Sequence, residues 1–275
     1  MIARIEKVRD RGWLMGEGML EFEVDGSKLS VAIEGQGRNI LYLSAGLWFA
    51  DDSAFAQSLS AHGRVIIPTA PGFGPGAVNR RWNQVDDIAY LYLDLIDRMK
   101  LSDVMLVGAS FGGWIAAQMA IKSCAAFSSI TLIDPLGVKV GDRFSRDIAD
   151  FYGLPDAELR ARAYADPSIF EADIKKISDD ELGRRVRSRE ALARYGWTPF
   201  MHDPKLLARL RRICAPTQFI WGAQDRIVTP DYGRAYAGQV AGATFTLIER
   251  AGHLPQVEQP QAVLDALVSF ADAHR

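Results

Sequence analysis

One serine of the chain stands in a stretch of small residues, GASFGG, at Gly108 to Gly113. The stretch follows the apolar run Val104 to Val107, which predicts a sharp turn from a strand into a helix, and only residues with little or no side chain let that turn close. Ser110 is then the reactive side chain at the apex, where the following backbone N–H groups point towards the same space. A serine that caps the helix beginning at Trp114 is the alternative interpretation, and this stretch alone favours neither.

A serine hydroxyl needs a base before it can attack a substrate at neutral pH, and imidazole titrates in the useful range. Of the four histidines, His253 is the candidate base, because it follows an apolar run and the small pair Ala251-Gly252. A carboxylate has to hold the imidazole in the correct tautomer and stabilise the imidazolium that forms. Asp225 and Asp134 each come after a different apolar run, so both are candidates for this acid.

Strand-like and helix-like segments alternate along the chain. The runs Met19 to Val24 and Leu29 to Ile33, joined across Asp25-Gly26, predict a β-hairpin. Short apolar runs follow, each succeeded by a segment with helical periodicity: Ile40 to Leu43, Arg64 to Ile67, Val104 to Val107, Ile130 to Ile133, Thr217 to Trp221 and Thr244 to Ile248. This alternation predicts an α/β fold with a mostly parallel central sheet flanked by helices.

Ligands of an open parallel sheet bind beyond the carboxyl ends of its strands, so the loops that leave the apolar runs are the ones that could carry a site. The serine turn leaves one such run, GAQD leaves another, and ERAGH leaves the last. Ser110, Asp225 and His253 are therefore expected at one edge of the sheet, in the chain order nucleophile, acid, base.

The strand signals stop between Leu136 and Asp203. The intervening stretch is helical in character and rich in charged and aromatic residues, which predicts a helical lid inserted into the sheet domain. We accordingly expect two parts: a core formed by residues 1–135 and 204–275, and a lid (cap) formed by residues 136–203.

These motifs together resemble the α/β-hydrolase fold family. GASFG matches the G-x-S-x-G nucleophile elbow, WGAQDRIV resembles the turn that carries the acid, and AGHLPQVEQP resembles the histidine loop. The resemblance runs from about Met19 to the C-terminus and includes PGFG and the position of the lid. It implies a serine hydrolase with Ser110 as nucleophile and His253 as base. Because the motif around Asp225 is the fuller match, it favours Asp225 over Asp134 as the acid.

The chain departs from this family in the loop that would form the oxyanion hole. Many relatives carry His-Gly after the third strand, where this sequence has Ser44-Ala45-Gly46. Backbone N–H groups stabilise the oxyanion, so the missing histidine does not itself remove the hole. By position, the resemblance implies the amides of Phe111 and Gly46 as donors, with Leu47 as an alternative to Gly46.

A glycine-rich stretch, Gly72 to Ala77, satisfies the G-x-G-x-x-G/A pattern of dinucleotide-binding sites. Pro68 and Pro71 separate it from the preceding strand, Pro75 lies inside it, and no helix opens directly after it. The array of N–H groups that would hold a pyrophosphate is therefore missing, and we interpret the stretch as a turn. With no phosphate-binding loop and no histidine or cysteine cluster in the sequence, we expect neither a cofactor nor a metal ion.

The composition limits the partners and the setting. With 275 residues, 48% of them hydrophobic, and a net charge of −2, the chain can bury a sizeable core and gives no electrostatic reason to bind nucleic acid or an anionic membrane. Its start, MIARIEKVRD, lacks the apolar stretch of a signal peptide, and no run of the sequence is long enough to span a bilayer. Cys124 and Cys214 do not form the cysteine pattern of a disulfide-bonded protein, so we expect a reducing, cytoplasmic setting. The expected partner is a small-molecule substrate. The sequence does not indicate an oligomeric state.

Aromatic residues indicate the class of substrate. They flank the predicted catalytic loops at Trp48, Phe49, Phe111 and Trp114, and they recur in the lid at Phe144, Phe151, Tyr152, Tyr164, Phe170, Tyr195, Trp197 and Phe200. A largely apolar or aromatic pocket suits a small ester or related acyl substrate, although packing alone would account for most of the lid aromatics.

Two alternatives to ester hydrolysis are open. A basic cluster in the lid, Arg184, Arg185, Arg187 and Arg189, could receive a substrate carboxylate, as cleavage of a carbon–carbon bond in an acidic ring-fission product would require, or it could be a solvated helix face. The second alternative is a protein that keeps the fold and binds a ligand without turnover.

Overall fold

The computed structural model describes residues 6–8, 19–24, 27–48, 50–74, 78, 80–170 and 177–274. Its strands are β1 (Glu6–Val8), β2 (Met19–Val24), β3 (Ser27–Glu34), β4 (Asn39–Leu43), β5 (Arg64–Thr69), β6 (Val104–Ala109), β7 (Phe127–Ile133), β8 (Thr217–Gly222) and β9 (Thr244–Ile248). Its helices are α1 (Ser53–Ser58), α2 (Val85–Met99), α3 (Phe111–Lys122), α4 (Asp156–Ala163), α5 (Asp179–Gly196), α6 (Leu206–Arg209), α7 (Pro230–Ala237), α8 (Pro255–Glu258) and α9 (Pro260–Ala273).

The amino-terminal part of the sheet is antiparallel. β1 pairs with β2, β2 with β3, and β3 with β5, each in antiparallel orientation. The β2–β3 pair is the predicted hairpin, and its turn at Asp25-Gly26 lies outside the described residues. β1 was not identified from the sequence, because three residues are too few to show a strand period.

The other strand pairs are parallel, and they confirm the predicted α/β fold with its mostly parallel sheet. Within the described residues the strands form one sheet in the order β1-β2-β3-β5-β4-β6-β7-β8-β9. β6 and β8 are interior strands of this sheet and are buried at every residue. Since α3 packs on β6, and α7 and α9 pack on β8, these strands are apolar without the alternation of a half-exposed strand. Their carboxyl ends carry Ser110 and Asp225.

β5 is longer than its apolar run predicts. It continues through Pro68 to Thr69, whereas the sequence indicated an end at Ile67. The pairing of β5 with β4 stops at Leu41↔Ile66, so Pro68 has a strand neighbour only in β3. A proline is tolerated at such a position, because a strand with a neighbour on one side only has fewer ladder hydrogen bonds to lose.

Residues 136–203 contain the helices α4 and α5, of 8 and 18 residues, and no strand among those described. The two ends of this segment lie side by side: Gly137 and His202 form an isolated parallel bridge, and the amide of Asp203 donates to the carbonyl of Gly137 at 2.9 Å. Because the chain enters and leaves this segment at neighbouring positions, the segment has the form of an insertion between β7 and β8. Its role as a lid, with the boundaries given above, stays a prediction.

The first turn of α3 packs directly against the end of β4. A Cβ atom at Gly112 would lie 2.1 Å from the carbonyl oxygen of Leu43 and 2.4 Å from that of Ser44. Both are backbone atoms and cannot rotate away as a side chain could. Gly112 therefore lets the helix after Ser110 touch the loop that begins at Ser44.

We expect Gly112→Ala to lower the free energy of unfolding by about 3 kcal/mol or more, because the added methyl group forces two backbone segments apart. Gly183→Ala, in the second turn of α5, is the matched control. Among the described residues outside the helix backbone, the one atom near its added methyl group is the end of the Arg187 side chain at 3.3 Å, so the gain in helix propensity should raise the free energy of unfolding by about 0.5–1 kcal/mol. Urea denaturation of both variants measures the difference, and equal effects would contradict this account of Gly112.

Candidate active site

Ser110 occupies the bend between β6 and α3. Its backbone has φ 48° and ψ −110°, a left-handed conformation that is strained for a residue with a side chain. The bend is held by the Ser110 amide, which donates to the carbonyl of Ile133 at 2.8 Å, and by the amide of Leu136, which donates to the Ser110 carbonyl at 3.1 Å. Ser110 stands at the N-cap position of α3, but its side chain makes no capping hydrogen bond. The alternative interpretation as a helix cap is therefore wrong for the hydroxyl.

The hydroxyl of Ser110 is directed at His253. Its Oγ lies 2.7 Å from Nε2 of the imidazole, and the other ring nitrogen, Nδ1, lies 2.8 Å from Oδ2 of Asp225. All three side chains are buried. The structure thus brings the predicted nucleophile, base and acid into one chain of hydrogen bonds.

Two backbone amides fix the carboxylate of Asp225. Ile227 and Val228 donate to its Oδ1 at 2.7 and 3.1 Å, which leaves Oδ2 for the imidazole. Trp221 and the other residues of β8 are buried below it. The acid is therefore held in place by the turn that follows the strand, as an orienting carboxylate requires.

The loop of His253 rests on the end of α4. The amide of His253 donates to the carbonyl of Ala163 at 2.7 Å. The carboxylate of Glu258 adds a second connection, because it accepts from the amide of Gly252 at 2.5 Å and from the amides of Ala165 and Asp166 at 2.9 and 3.0 Å. Burial raises the pKa of Glu258, although these amide hydrogen bonds lower it.

Asp134, the alternative acid, lies next to this chain of hydrogen bonds but makes no hydrogen bond to the imidazole. It is fully buried at the end of β7, and its Oδ1 accepts from the amide of Gly222 at 3.0 Å. The hydrogen bond to the imidazole comes from Asp225, as the fuller motif predicted. Burial raises the pKa of Asp134 well above its ordinary value, and the charge of Asp225 together with a hydrogen bond to it raises this pKa further.

Asp134, Asp225 and His253 also form a set of the kind that can bind a metal, with donor atoms within 4.8 Å of one another. The donors of two of these residues are already engaged: both ring nitrogens of His253 have partners, and both oxygens of Asp225 accept hydrogen bonds. This arrangement fits an orienting network better than a metal centre.

The predicted oxyanion loop is fixed by a residue that sequence reasoning missed. The buried carboxylate of Asp52 accepts from the Tyr42 hydroxyl at 2.6 Å, the Ser44 hydroxyl at 2.7 Å and the Ala45 amide at 2.9 Å. Burial and the Asp52 charge raise the pKa of Tyr42 well above its usual value, so this hydroxyl stays a donor. Nothing in the pair Asp51-Asp52 indicates from sequence which of the two carboxylates points inwards.

The candidate donors of the oxyanion hole differ in their present partners. The amide of Gly46 donates to the Ser44 hydroxyl at a long 3.4 Å. Within the part of the chain that the structure describes, the amides of Leu47 and Phe111 have no hydrogen-bond acceptor. An amide without an acceptor is available to an oxyanion.

Aromatic rings surround the site in two groups. Around the serine turn, the ring of Phe111 contacts those of Phe73, Trp114 and Tyr195 at centroid distances of 5.6, 6.0 and 6.4 Å. The second group, here called the aromatic cluster, consists of Trp48, Phe151, Tyr152, Trp197 and Phe200. Sequence reasoning missed Phe73, which stands in the PGFG turn, and wrongly included Phe144, whose side chain is 84% exposed.

The remaining aromatic predictions and the glycine-rich turn have mixed outcomes. Tyr164 is buried, whereas Phe49 and the side chain of Phe170 lie outside the described residues. Of the stretch from Gly72 to Ala77, the described part is a turn closed by the Phe73 amide on the carbonyl of Ala70 at 3.0 Å, and residues 75–77 are not described.

The four arginines of the predicted basic cluster have different surroundings. Arg184 and Arg185 pair with Glu181 on the same helix. The guanidinium of Arg189 lies over the rings of Trp48 and Tyr152, at 5.0 and 5.3 Å from their centroids. Arg187 differs from these, because its buried Nε has no hydrogen-bond partner among the described residues.

Among the described residues, no helix combines the length and the apolar character needed to cross a bilayer.

Comparison with known proteins finds the same fold in other hydrolases. The model of the alpha/beta hydrolase family matches residues 40–266. BpoC of Mycobacterium tuberculosis, which carries the name of a non-heme bromoperoxidase, is 28% identical over 192 residues, covering 64% of this chain and 71% of BpoC.

Two solved structures show the fold at low sequence identity. A serine hydrolase from the polyaromatic hydrocarbon-degrading bacterium Cycloclasticus zankles has a TM-score of 0.76 at 17% identity, covering 93% of this chain and 98% of that one. A variant of the meta-cleavage product hydrolase CumD of Pseudomonas fluorescens has a TM-score of 0.74 at 18% identity, covering 94% and 98%.

We expect Asp52→Ala to reduce both stability and turnover. The change leaves two buried donors, Tyr42 and Ala45, and the half-buried Ser44 hydroxyl without this acceptor, which should lower the free energy of unfolding by about 3 kcal/mol or more. It also frees the loop that carries Gly46 and Leu47, so kcat should fall by more than the folded fraction accounts for. Urea denaturation and kcat, measured on folded protein, test this. Asp51→Ala at the exposed neighbouring carboxylate is the control, and an equal loss in both variants would contradict the role of Asp52.

Proposed function

The chain belongs to the alpha/beta hydrolase family and is an enzyme, and we propose that it is a serine hydrolase that cleaves a small, largely apolar or aromatic ester through an acyl-enzyme on Ser110. The observation that carries this proposal is the chain of hydrogen bonds from the Ser110 hydroxyl through His253 to Asp225. A buried serine, imidazole and carboxylate in this order match the needs of nucleophilic acyl transfer.

In the proposed reaction, His253 accepts the Ser110 proton through Nε2 while Oγ attacks the ester carbonyl carbon. Asp225 stabilises the imidazolium that forms, and the imidazolium then gives its proton to the departing alcohol. A water molecule, deprotonated by the same imidazole, then attacks the acyl-enzyme. The bond between the acyl carbon and Oγ breaks, the imidazolium returns the proton to Oγ, and the carboxylic acid is released. No step of this sequence calls for a cofactor.

The oxyanion of the tetrahedral intermediate would be held by backbone amides. We assign one donor to Phe111, the residue after the nucleophile. For the second, the Gly46 amide already donates to Ser44, whereas the Leu47 amide has no acceptor among the described residues, which favours Leu47 over Gly46.

The apolar character of the substrate is inferred from the rings around the serine. Phe111, Trp114 and Tyr195 are in ring contact and buried beside Ser110. Such a lining favours an acyl or alcohol group with a large apolar surface and offers few hydrogen bonds to a polar one.

We expect the protein to hydrolyse p-nitrophenyl acetate, and Ser110→Ala to lower kcat on the order of 10⁴-fold or more, because the three residues act as a unit. Asp225→Asn should cost on the order of 10³–10⁴-fold, since the imidazole loses the partner that fixes its tautomer. Release of p-nitrophenol at saturating ester measures both effects.

Labelling with a fluorophosphonate probe tests whether the protein is a serine hydrolase or binds a ligand without turnover. The probe labels an activated serine, so the unaltered protein should react and Ser110→Ala should not. Ser129→Ala, at a buried serine on β7, is a matched control that should keep both labelling and turnover. Turnover of Ser110→Ala above a tenth of the unaltered value would overturn the assignment.

Cleavage of a carbon–carbon bond beside a ketone, in an acidic ring-fission product, is a second candidate, and Arg187 favours it. Arg187 shares a face of α5 with Ala191 and Tyr195, four and eight residues on, and both are buried. The Tyr195 hydroxyl donates to Pro71, and its ring contacts Phe111. Because the buried Nε of Arg187 has no hydrogen-bond partner among the described residues, this guanidinium could receive a substrate carboxylate.

A vinylogous 1,5-diketone acid tests this second candidate against the ester. If the acid is turned over strongly and esters only at trace level, ester cleavage is wrong as the main activity. Arg187→Ala should then raise KM for the acid by about tenfold or more, because a charge-assisted hydrogen bond is lost. Arg184→Ala, at a guanidinium paired with Glu181, should leave KM nearly unchanged.

A further inference from the structure

Two carboxyl groups lie side by side behind the imidazole. Asp134 follows β7 and Asp225 follows β8, the neighbouring strand, and one oxygen of each lies within 4.8 Å of the other and of a His253 nitrogen. Both groups are buried, at 0% and 2% exposure. The backbone of Asp134 has φ 41°, the left-handed conformation that side chains disfavour, so the position of this carboxyl group comes at a cost in strain.

No cation neutralises this pair. Among the described residues, neither Asp134 nor Asp225 makes an ion pair with a lysine or arginine, and the other titratable groups that face them are His253 and Glu258. Two buried carboxylates at this distance cannot both be ionised without a strong repulsion, so one of them has to hold a proton.

The hydrogen bonds show which one. Both oxygens of Asp225 accept from donors, namely two amides and the imidazole. Asp134 accepts one amide through Oδ1, and its buried Oδ2 has no donor. As an ionised oxygen, Oδ2 would be a buried acceptor without a partner, whereas as an O–H group it has an acceptor in Asp225.

We propose that Asp134 is a neutral carboxylic acid that donates its O–H to the carboxylate of Asp225 and thereby acts as a positioning residue for the acid. This inference rests on the proposed role of Asp225. The hydrogen bond ties the end of β7 to the turn after β8, while Gly222 holds the other oxygen of Asp134. Asp225 keeps the single negative charge, directed at His253.

Protonation of Asp134 can be measured without any substrate. A neutral Asp134 in the folded protein loses its proton on unfolding above the ordinary carboxyl pKa, so folding becomes less favourable as the pH rises. Asp134→Asn has no such proton. The ratio of the unfolding constants of the unaltered protein and Asp134→Asn should therefore rise tenfold or more between about pH 5 and about pH 7, since one linked proton gives about tenfold per pH unit.

All other ionisable groups are common to the two proteins, so the ratio reports the difference that position 134 makes. A ratio that stays constant within twofold would mean that Asp134 is ionised in the folded protein, which overturns the proposal. Because the measurement uses urea denaturation only, it gives the same answer whether or not the protein cleaves esters.

The positioning role is tested by two substitutions at the same site. In Asp134→Asn the amide N–H can donate to Asp225 and the amide oxygen can accept from Gly222, so kcat should stay within about threefold of the original value. Asp134→Leu has a similar volume but can do neither, and kcat should fall tenfold or more with KM nearly unchanged. Equal kcat values for the two variants would contradict the positioning role. If Asp134→Leu fails to fold, a kcat of Asp134→Asn below a tenth of the original value would contradict it as well.

Discussion

The positions of the reactive groups depend on contacts between backbones that leave no room for a side chain. At Gly112, the helix that follows Ser110 meets the carbonyl groups of Leu43 and Ser44 at the end of β4. At Gly252, the histidine loop meets the end of α4 in the same way, since a Cβ atom there would lie 2.3 Å from the carbonyl oxygen of Ala163. Backbone contacts of this kind fix the loops relative to one another more firmly than side chains could, because neither partner has a rotamer to change. The 2.7 and 2.8 Å hydrogen bonds of His253 rely on that rigidity.

Much of this arrangement follows from the sequence, and the reasons are local. The apolar runs at β6 and β8 read as buried strands, and the small residues around Ser110 require a sharp bend. The order of Ser110, Asp225 and His253 then places them at one edge of a parallel sheet. The sequence does not show which strands are neighbours in the sheet. Asp134 and Asp225 were therefore predicted as alternatives for one role. In the structure β7 and β8 are adjacent, and the two carboxyl groups lie together.

The same limit applies to polar residues that act through the backbone. Asp52 stands in an ordinary polar loop, and its hydrogen bonds to Tyr42, Ser44 and Ala45 exist only because the chain folds back on β4. Likewise, Arg184, Arg185, Arg187 and Arg189 read as one basic cluster, yet Glu181 and the rings of Trp48 and Tyr152 engage three of them. Composition gives the charges of such a helix, and only the fold shows which neighbours each of them contacts.

The hydrogen bonds between the histidine loop and the residues at the end of α4 couple the base to the inserted segment. The amide of His253 is held by Ala163, and Glu258 joins Gly252 to Ala165 and Asp166. Moving this part of the segment away from the sheet would remove a support of the imidazole. The hydrogen bond that α5 makes, from the Tyr195 hydroxyl to the carbonyl of Pro71, involves neither the histidine loop nor Asp225. The alignment of the base therefore depends on contacts at the α4 end of the inserted segment, which lies far along the chain from His253.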